Sequence, residues 1–234
     1  MKIVALKSKS PDQRRLGLAS CLGLVLLAIT APANGAEWQT LFDGKDTSAW
    51  KTYGKSADAP VTWAIEEGGV LAWRKGGGNL ATKETFADFE LELEWKLSAG
   101  GNSGVMFGVD EKSDKPWHSG PEFQLLDDSK HRDGKNNLTA SGALYSLYPP
   151  MKSAAKPIGE WNTQRIVVQA GRVQSWLNGE LVVDATIGSD DWNAKVAKSK
   201  FAPFRQFAKV SPGRILLQDH ANPVWFRKIR IRRL

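Results

Sequence analysis

The feature that most constrains this chain is the recurrence of short runs that alternate apolar and polar residues and stop at clusters of Gly, Pro, Asn or Asp. WAIEEGGVLAW, FELELEWKL, SGVMFGV, EFQLL, QRIVVQA, RVQSWLNGELVVDA, GRILLQ and VWFRKIRIRRL are the clearest. A side-chain period of two between chain-breakers describes strands buried on one face. Asn178-Gly179, between WL and ELVV, has the composition of a tight hairpin turn. SDDWNAKVAKSKF departs from the pattern: Ser189 offers an N-cap, two acids follow it, and lysines come later. That order predicts one short helix near residues 189–200. No repeat or linker divides the rest, so the reading is an all-β sandwich forming one domain over residues 37–234.

Residues 1–36 read differently. Lys2, Lys7, Lys9, Arg14 and Arg15 precede an apolar stretch from Leu16 to Thr30, and Ala31-Pro32-Ala33 supplies small residues for cleavage. This is the layout of a signal peptide, so the chain is expected to be exported, periplasmic or secreted. The apolar stretch falls short of the roughly 20 residues a spanning helix needs, so no membrane anchor is expected. Arg14-Arg15 leaves a twin-arginine route open beside the general one. Leu18-Ala19-Ser20-Cys21 resembles a lipidation box, but most of the apolar run follows the cysteine. Removing the leader takes away five basic residues and one acid, and the net charge falls from +7 to +3. A charge of that size argues for neither a nucleic-acid nor a membrane partner. The single cysteine, Cys21, goes as well, which excludes a disulfide framework, a thiolate nucleophile and a zinc–cysteine site. The remaining length is enough for one sizeable core.

Strand parity separates core positions from groove positions, because successive side chains face opposite sides of a sheet. In EFQLL, Phe123 and Leu125 point inward, leaving Glu122 and Gln124 outward. In QRIVVQ, Ile166 and Val168 go inward and Arg165 outward. In RVQSWLNG, Val173 and Leu177 go inward, which turns Gln174, Trp176 and Asn178 out. In ILLQDH, Ile215 and Leu217 inward put Gln218 and His220 outward. An outward Trp among amides suits a sugar face. Glu90, Glu92 and Glu94 make one acidic row and Lys228, Arg230 and Arg232 a basic one, both read as solvated faces.

WQTLFDGKDTSAW, FADFELELEWKLSAGGNSGVMFGV, PEFQLLDDSKHRD, SGALYSLYPP, GEWNTQRIVVQAGRVQSWLNGELVVD and GRILLQDHANPVWFRKIRIR together resemble the 3-keto-disaccharide hydrolase family, over nearly the whole of residues 37–234 and in order. The resemblance implies a concanavalin A-like lectin/glucanase jelly roll with a ligand groove on one sheet. It also implies action on glycosides oxidised at sugar carbon 3, by elimination of the aglycone across carbons 1 and 2 and then addition of water. A sugar 3-dehydrogenase that makes the ketone is implied as a functional link. Glucanases of this fold carry alternating acids, Glu-x-Asp-x-Glu, on one strand. Here the comparable strand reads Glu122-x-Gln124-x-Leu126, which disfavours ordinary retaining hydrolysis.

The ketone acidifies the proton on carbon 2, so the chemistry asks for a base there, an acid at the glycosidic oxygen and a partner for the enolate oxygen. Glu122 and His220 are the expected pair, Glu122 as acid and His220 as base, although the exchanged roles fit the sequence nearly as well; Asp219 is placed to orient the imidazole. Asp127 and His131 form a reserve pair, and Arg165 suits either a clamp on a ketone or hydroxyl or an ion pair to a neighbouring strand. Asn102, Ser103, Gln124, Tyr145, Trp176 and Gln218 are expected to contact the sugar. No cofactor is certain; Asp127, His131 and Asp133 have the donor types for a divalent cation, although their spacing matches no metal signature. Glu122, Gln124, Arg165, Trp176 and His220 are expected to line one face. The alternatives are a noncatalytic carbohydrate-binding module on the same fold and an ordinary glycoside hydrolase.

Overall fold

The computed structural model describes residues 36–209 and 211–234; nearly all of the leader expected at 1–36 lies outside them. Among the described residues, no helix is long and apolar enough to cross a membrane. In chain order the strands are β1 (Gln39–Phe42), β2 (Trp50–Thr52), β3 (Ala64–Glu66), β4 (Val70–Ala72), β5 (Leu80–Thr82), β6 (Phe89–Leu97) and β7 (Asn102–Val109). They continue as β8 (Glu122–Leu126), β9 (Asn162–Gln169), β10 (Arg172–Leu177), β11 (Glu180–Thr186), β12 (Arg214–Leu217) and β13 (Val224–Arg233), with the helix α1 (Asp190–Lys198) between β11 and β12. The larger sheet runs β11-β10-β9-β6-β13-β4-β3 with β1 on β13, and the smaller runs β2-β5-β12-β7-β8. All pairings are antiparallel. The two packed sheets are the expected sandwich.

Parity explains the core. On β6, Phe89, Leu91, Leu93, Trp95 and Leu97 are buried, and Ile166 and Val168 of β9 join the same cluster. Phe89 meets Phe86 and, on the other sheet, Phe107 edge-on, with centroids 6.5 and 6.3 Å apart, and Phe107 stacks on Phe123 at 6.0 Å. Edge and offset contacts suit the aromatic quadrupole. Gln164 also points inward, where it accepts a hydrogen bond from Trp95 Nε1 (3.1 Å) and donates one to Ser175 Oγ (3.2 Å). A buried amide is tolerated only because it is paired in this way.

Asn178 and Gly179 both take positive φ, 52° and 86°, the geometry the hairpin between β10 and β11 demands. The Ser189 hydroxyl accepts from Trp192 N (3.2 Å), Asp190 and Asp191 fill the first turn of α1, and Trp192 anchors it in the core. Ser189→Ala is expected to lower stability by about 0.5–2 kcal/mol, read from urea unfolding, without changing the site described below.

The acidic and basic rows do not stand apart in solvent. Arg230 pairs with Glu92, Arg165 and Arg232 with Glu90, and Arg227 and Lys228 with Glu94. These rows lace β6, β9 and β13 together across the outer face of the larger sheet.

Candidate functional site

The outer face of the smaller sheet carries the candidate site. Asn102 lies opposite Leu126, Gly104 opposite Gln124 and Met106 opposite Glu122. On the other side of β7, Leu216 lies opposite Met106, and Gln218 N donates to Gly104 O (2.9 Å). Asn102, Glu122, Gln124 and Gln218 therefore share one face, the last three turned outward as parity predicts. That face is nonetheless buried. The segment 142–145 pairs with the free edge of β8: Gly142 N donates to Gln124 O, Gln124 N to Ala143 O, and Tyr145 N to Glu122 O. Glu122 is left 7% exposed and Gln124 1%. Sequence parity gives the side of the sheet; it does not reveal a loop that covers it.

Glu122 rests on Gly104, where a β-carbon would overlap its carboxyl group. Burial pushes the Glu122 pKa up to about 8, against the opposing effects of the Lys200 ammonium and the Gln218 side chain. Near neutral pH the group therefore keeps its proton and offers an acid. Around it, Asn102 Oδ1, Gln124 Oε1, Gln218 Oε1 and Ser141 Oγ are buried with no hydrogen-bond partner. Buried polar atoms are ordinarily paired, so these four stand out as atoms with unused hydrogen-bonding capacity.

His131 follows β8 on a turn tied down by Asp127. The Asp127 Oδ2 accepts from Gly100 N (2.7 Å), and Oδ1 accepts from Ser129 N (3.0 Å) and Ser129 Oγ (2.6 Å). Burial opposes ionisation of Asp127, but these bonds hold its pKa below the ordinary value. Its carbonyl accepts from His131 N (2.9 Å). His131 Nδ1 accepts from Asp133 N (3.2 Å), so a neutral His131 carries its proton on Nε2 and presents a donor. Its ring meets that of His220 edge-on, with centroids 6.3 Å apart. Two loops that follow different strands thus bring their imidazoles together.

Several expected contacts fall elsewhere. Arg165 and Trp176 belong to the larger sheet, where the guanidinium pairs with Glu90 and stacks on the indole 4.2 Å from its centroid. Parity correctly turned both outward, but a sandwich has two outward faces. Ser103 points the other way from Asn102 and donates to Gln218 O (2.8 Å) in the interior, so it holds β7 to the chain after β12 and is not exposed for a sugar. Asp219 does not orient His220; its carboxylate accepts from Trp73 Nε1 (2.6 Å), Gly78 N (2.9 Å) and Ala221 N (2.8 Å). Asp127 is a clamp on the turn, with both oxygens taken. Accordingly Asp127, His131 and Asp133 do not assemble a cation site, and among the described residues no group of three or more His, Cys, Asp or Glu side chains does.

Lys200, just beyond α1, was not legible as part of the site. Its ammonium lies 4.1 Å from the centroid of Tyr145. The residue as a whole is exposed, yet desolvation of its charged end lowers its pKa, with Glu122 and Asp133 acting in the opposite direction. Tyr145, half-buried, gives one ring face to this cation; burial, then Asp133 and Glu122, raise its pKa. In sequence Lys200 looked like one more cation at a helix C-terminus.

A separate cavity of about 750 Å³ opens on the outer face of the larger sheet, lined in part by Glu92, Glu94, Arg165, Trp176 and Arg230. Its size does not make it the better candidate. These carboxylates and guanidiniums are already in ion pairs, Glu92 with Arg230, Glu94 with Arg227 and Arg165 with Glu90, whereas the unpartnered atoms named above lie around Glu122.

Residues 37–232 match the family model described as a 3-keto-alpha-glucoside-1,2-lyase-like domain. The chain is 34% identical to a protein of Bacteroides thetaiotaomicron named 3-keto-disaccharide hydrolase, over 88% of this chain and 81% of that protein. A solved structure from Parabacteroides distasonis, described as a candidate glycosyl hydrolase, superposes with a TM-score of 0.78 at 30% identity, covering 84% of this chain and 94% of that one. The β-glucanase of Bacillus licheniformis superposes with a TM-score of 0.51 at 11% identity, over 86% of this chain and 99% of that one; at that identity the likeness is one of fold, and it identifies the sandwich as a jelly roll of the glucanase type.

Proposed function

The chain belongs to the 3-keto-alpha-glucoside-1,2-lyase-like family, and from that premise we propose that it is an enzyme cleaving glycosides already oxidised at sugar carbon 3. The observation that carries the reading is the buried, protonated Glu122 beside unpartnered acceptors on Asn102, Gln124, Gln218 and Ser141. Sugar hydroxyls supply the donors those acceptors lack. Glu122 is the single carboxyl group in these strand rows, whereas retaining and inverting glycosidases use two. In this reading the acid works without a partnering nucleophile from the strands, and elimination suits that arrangement.

In this reading His220 takes the proton from carbon 2, since the Nδ1 of His131 is already occupied as an acceptor. The C–H electron pair becomes the C2=C3 bond of an enolate. When the carbonyl re-forms, the C1=C2 bond is made and the C1–O bond breaks, and Glu122 gives its proton to the departing oxygen. Water added afterwards completes a net hydrolysis. An upstream dehydrogenation of the hydroxyl at carbon 3 supplies the ketone, and export of the chain places this chemistry outside the cytoplasm. A noncatalytic sugar-binding module fits the amides, but a buried protonated acid adds nothing to binding that an amide would not.

Incubating the chain with a 3-keto-glucoside is expected to release the aglycone, with a C1=C2 unsaturated 3-keto sugar seen transiently by NMR. Binding without release would favour the module. Release with no unsaturated intermediate and no primary isotope effect from deuterium at carbon 2 would overturn elimination.

A further inference from the structure

We propose that Lys200 is a catalytic residue, the cation that receives the negative charge on the ketone oxygen while carbon 2 loses its proton. This rests on the elimination reading above, which names a base and an acid but leaves the developing oxyanion without a partner. Such charge is best met by a donor fixed in advance in a site poor in water.

Three observations select Lys200. Its charge acts on Glu122 without an ion pair forming: among the described residues no carboxylate lies within ion-pairing distance of its ammonium, although the cations facing β6 are each paired. Its charged end is seated over Tyr145, whose backbone N–H donates to Glu122 O (2.9 Å), so the aromatic seat and the acid are fixed to each other by the backbone. Its own backbone is also held. The Ser199 hydroxyl donates to Val196 O (2.8 Å) and accepts from Phe201 N (3.1 Å), and Phe201 is buried and stacked on Phe207 with centroids 4.1 Å apart. A flexible side chain is thereby launched from a rigid point and held against a ring, which limits the reorganisation needed when charge appears. Desolvation of the ammonium is consistent with a group that gains more from an anion here than it would in water.

The electron accounting follows. His220 takes the carbon-2 proton, the C–H pair forms C2=C3, and the carbonyl π pair moves onto the oxygen, where Lys200 meets it with an N–H hydrogen bond and its charge. The same pair returns when C3=O re-forms and C1–O breaks, so Lys200 ends the cycle still protonated.

The step is isolated with a 3-keto sugar that has hydrogen in place of the aglycone at carbon 1. It has no group to expel, so enolisation appears only as exchange of the carbon-2 proton in D2O, followed by NMR. Lys200→Met is expected to lose exchange on this sugar and aglycone release from a 3-keto-glucoside by about 10²-fold each. Release should stay slow with an activated leaving group, and Lys200→Arg should recover part of the exchange. Lys200→Gln repeats the test should the methionine variant lose its cooperative thermal melt. A folded variant that exchanges as fast as wild type overturns the role of Lys200. Wild type that neither exchanges nor releases aglycone overturns the elimination reading itself, and the two failures are thereby distinguished.

Discussion

Glu122→Gln and His220→Ala are each expected to lower turnover of a 3-keto-glycoside by about 10²–10⁴-fold, the usual contribution of a positioned acid or base, while leaving the fold intact. Glutamine keeps the shape of the buried side chain over Gly104 and removes the transferable proton. His220 is exposed beyond β12, so its removal opens no cavity in the core. The two losses should differ in kind. A highly activated leaving group needs little protonation, so it is expected to rescue Glu122→Gln and not His220→Ala. Rescue of His220→Ala alone would exchange the roles. Near-normal turnover by both variants would remove the pair from the site.

His131 gives this experiment a third reading. With Nδ1 accepting from Asp133 N, the neutral ring offers its Nε2 hydrogen and no free lone pair. It is therefore suited to hold a sugar oxygen beside His220, and less suited to replace His220 as base.

What the sequence made legible follows from what each signal measures. Alternation on β6, β8, β9 and β13 reports which side of a strand meets the core, and the sandwich, the hairpin at Asn178-Gly179 and α1 all came out as read. The same alternation turned Glu122, Gln124 and Gln218 outward, and the pairing of β7 with β8 adds Asn102 to that face. It failed where local pattern carries no information about which sheet a strand joins. Arg165 and Glu122 are both outward, yet they face away from each other on different sheets, and only the long-range pairing of β9 with β6 and of β8 with β7 decides that. Asp127 misled for another reason: a carboxylate clamping a turn through Gly100 N and Ser129 N has the same sequence look as one aimed at a ligand. Lys200 escaped notice because nothing local distinguishes it from Lys195 and Lys198, and its role depends on Tyr145, 55 positions earlier in the chain.

The stability of the protein should carry the signature of the buried acid. Glu122 has an ordinary value of 4.5 and is raised to about 8 by burial in the folded state. Below pH 4.5 both folded and unfolded chains hold this proton, and the contribution is fully present. Between there and about pH 8 the unfolded chain has lost it while the folded chain retains it, so unfolding releases a proton and stability falls as pH rises. Above pH 8 both forms are ionised and the contribution is gone. The full swing is at most roughly 5 kcal/mol, from the ~1.4 kcal/mol that each pKa unit represents. Glu90, Glu94 and Asp127 act in the opposite sense. Burial works against their ionised forms, but their cationic or hydrogen-bonding partners lower their pKa values, so they favour the fold above the ordinary carboxylate range and weaken it in acid. Wild type is therefore expected to be most stable in mildly acidic solution and to lose stability toward pH 9, measured by urea unfolding at pH 5, 7 and 9. Glu122→Gln cannot ionise, so it should flatten the alkaline limb and leave the acid limb unchanged. A constant offset between the two proteins from pH 5 to pH 9 would mean that Glu122 ionises at its ordinary value, and it would then be a carboxylate at neutral pH with no proton to give the leaving group.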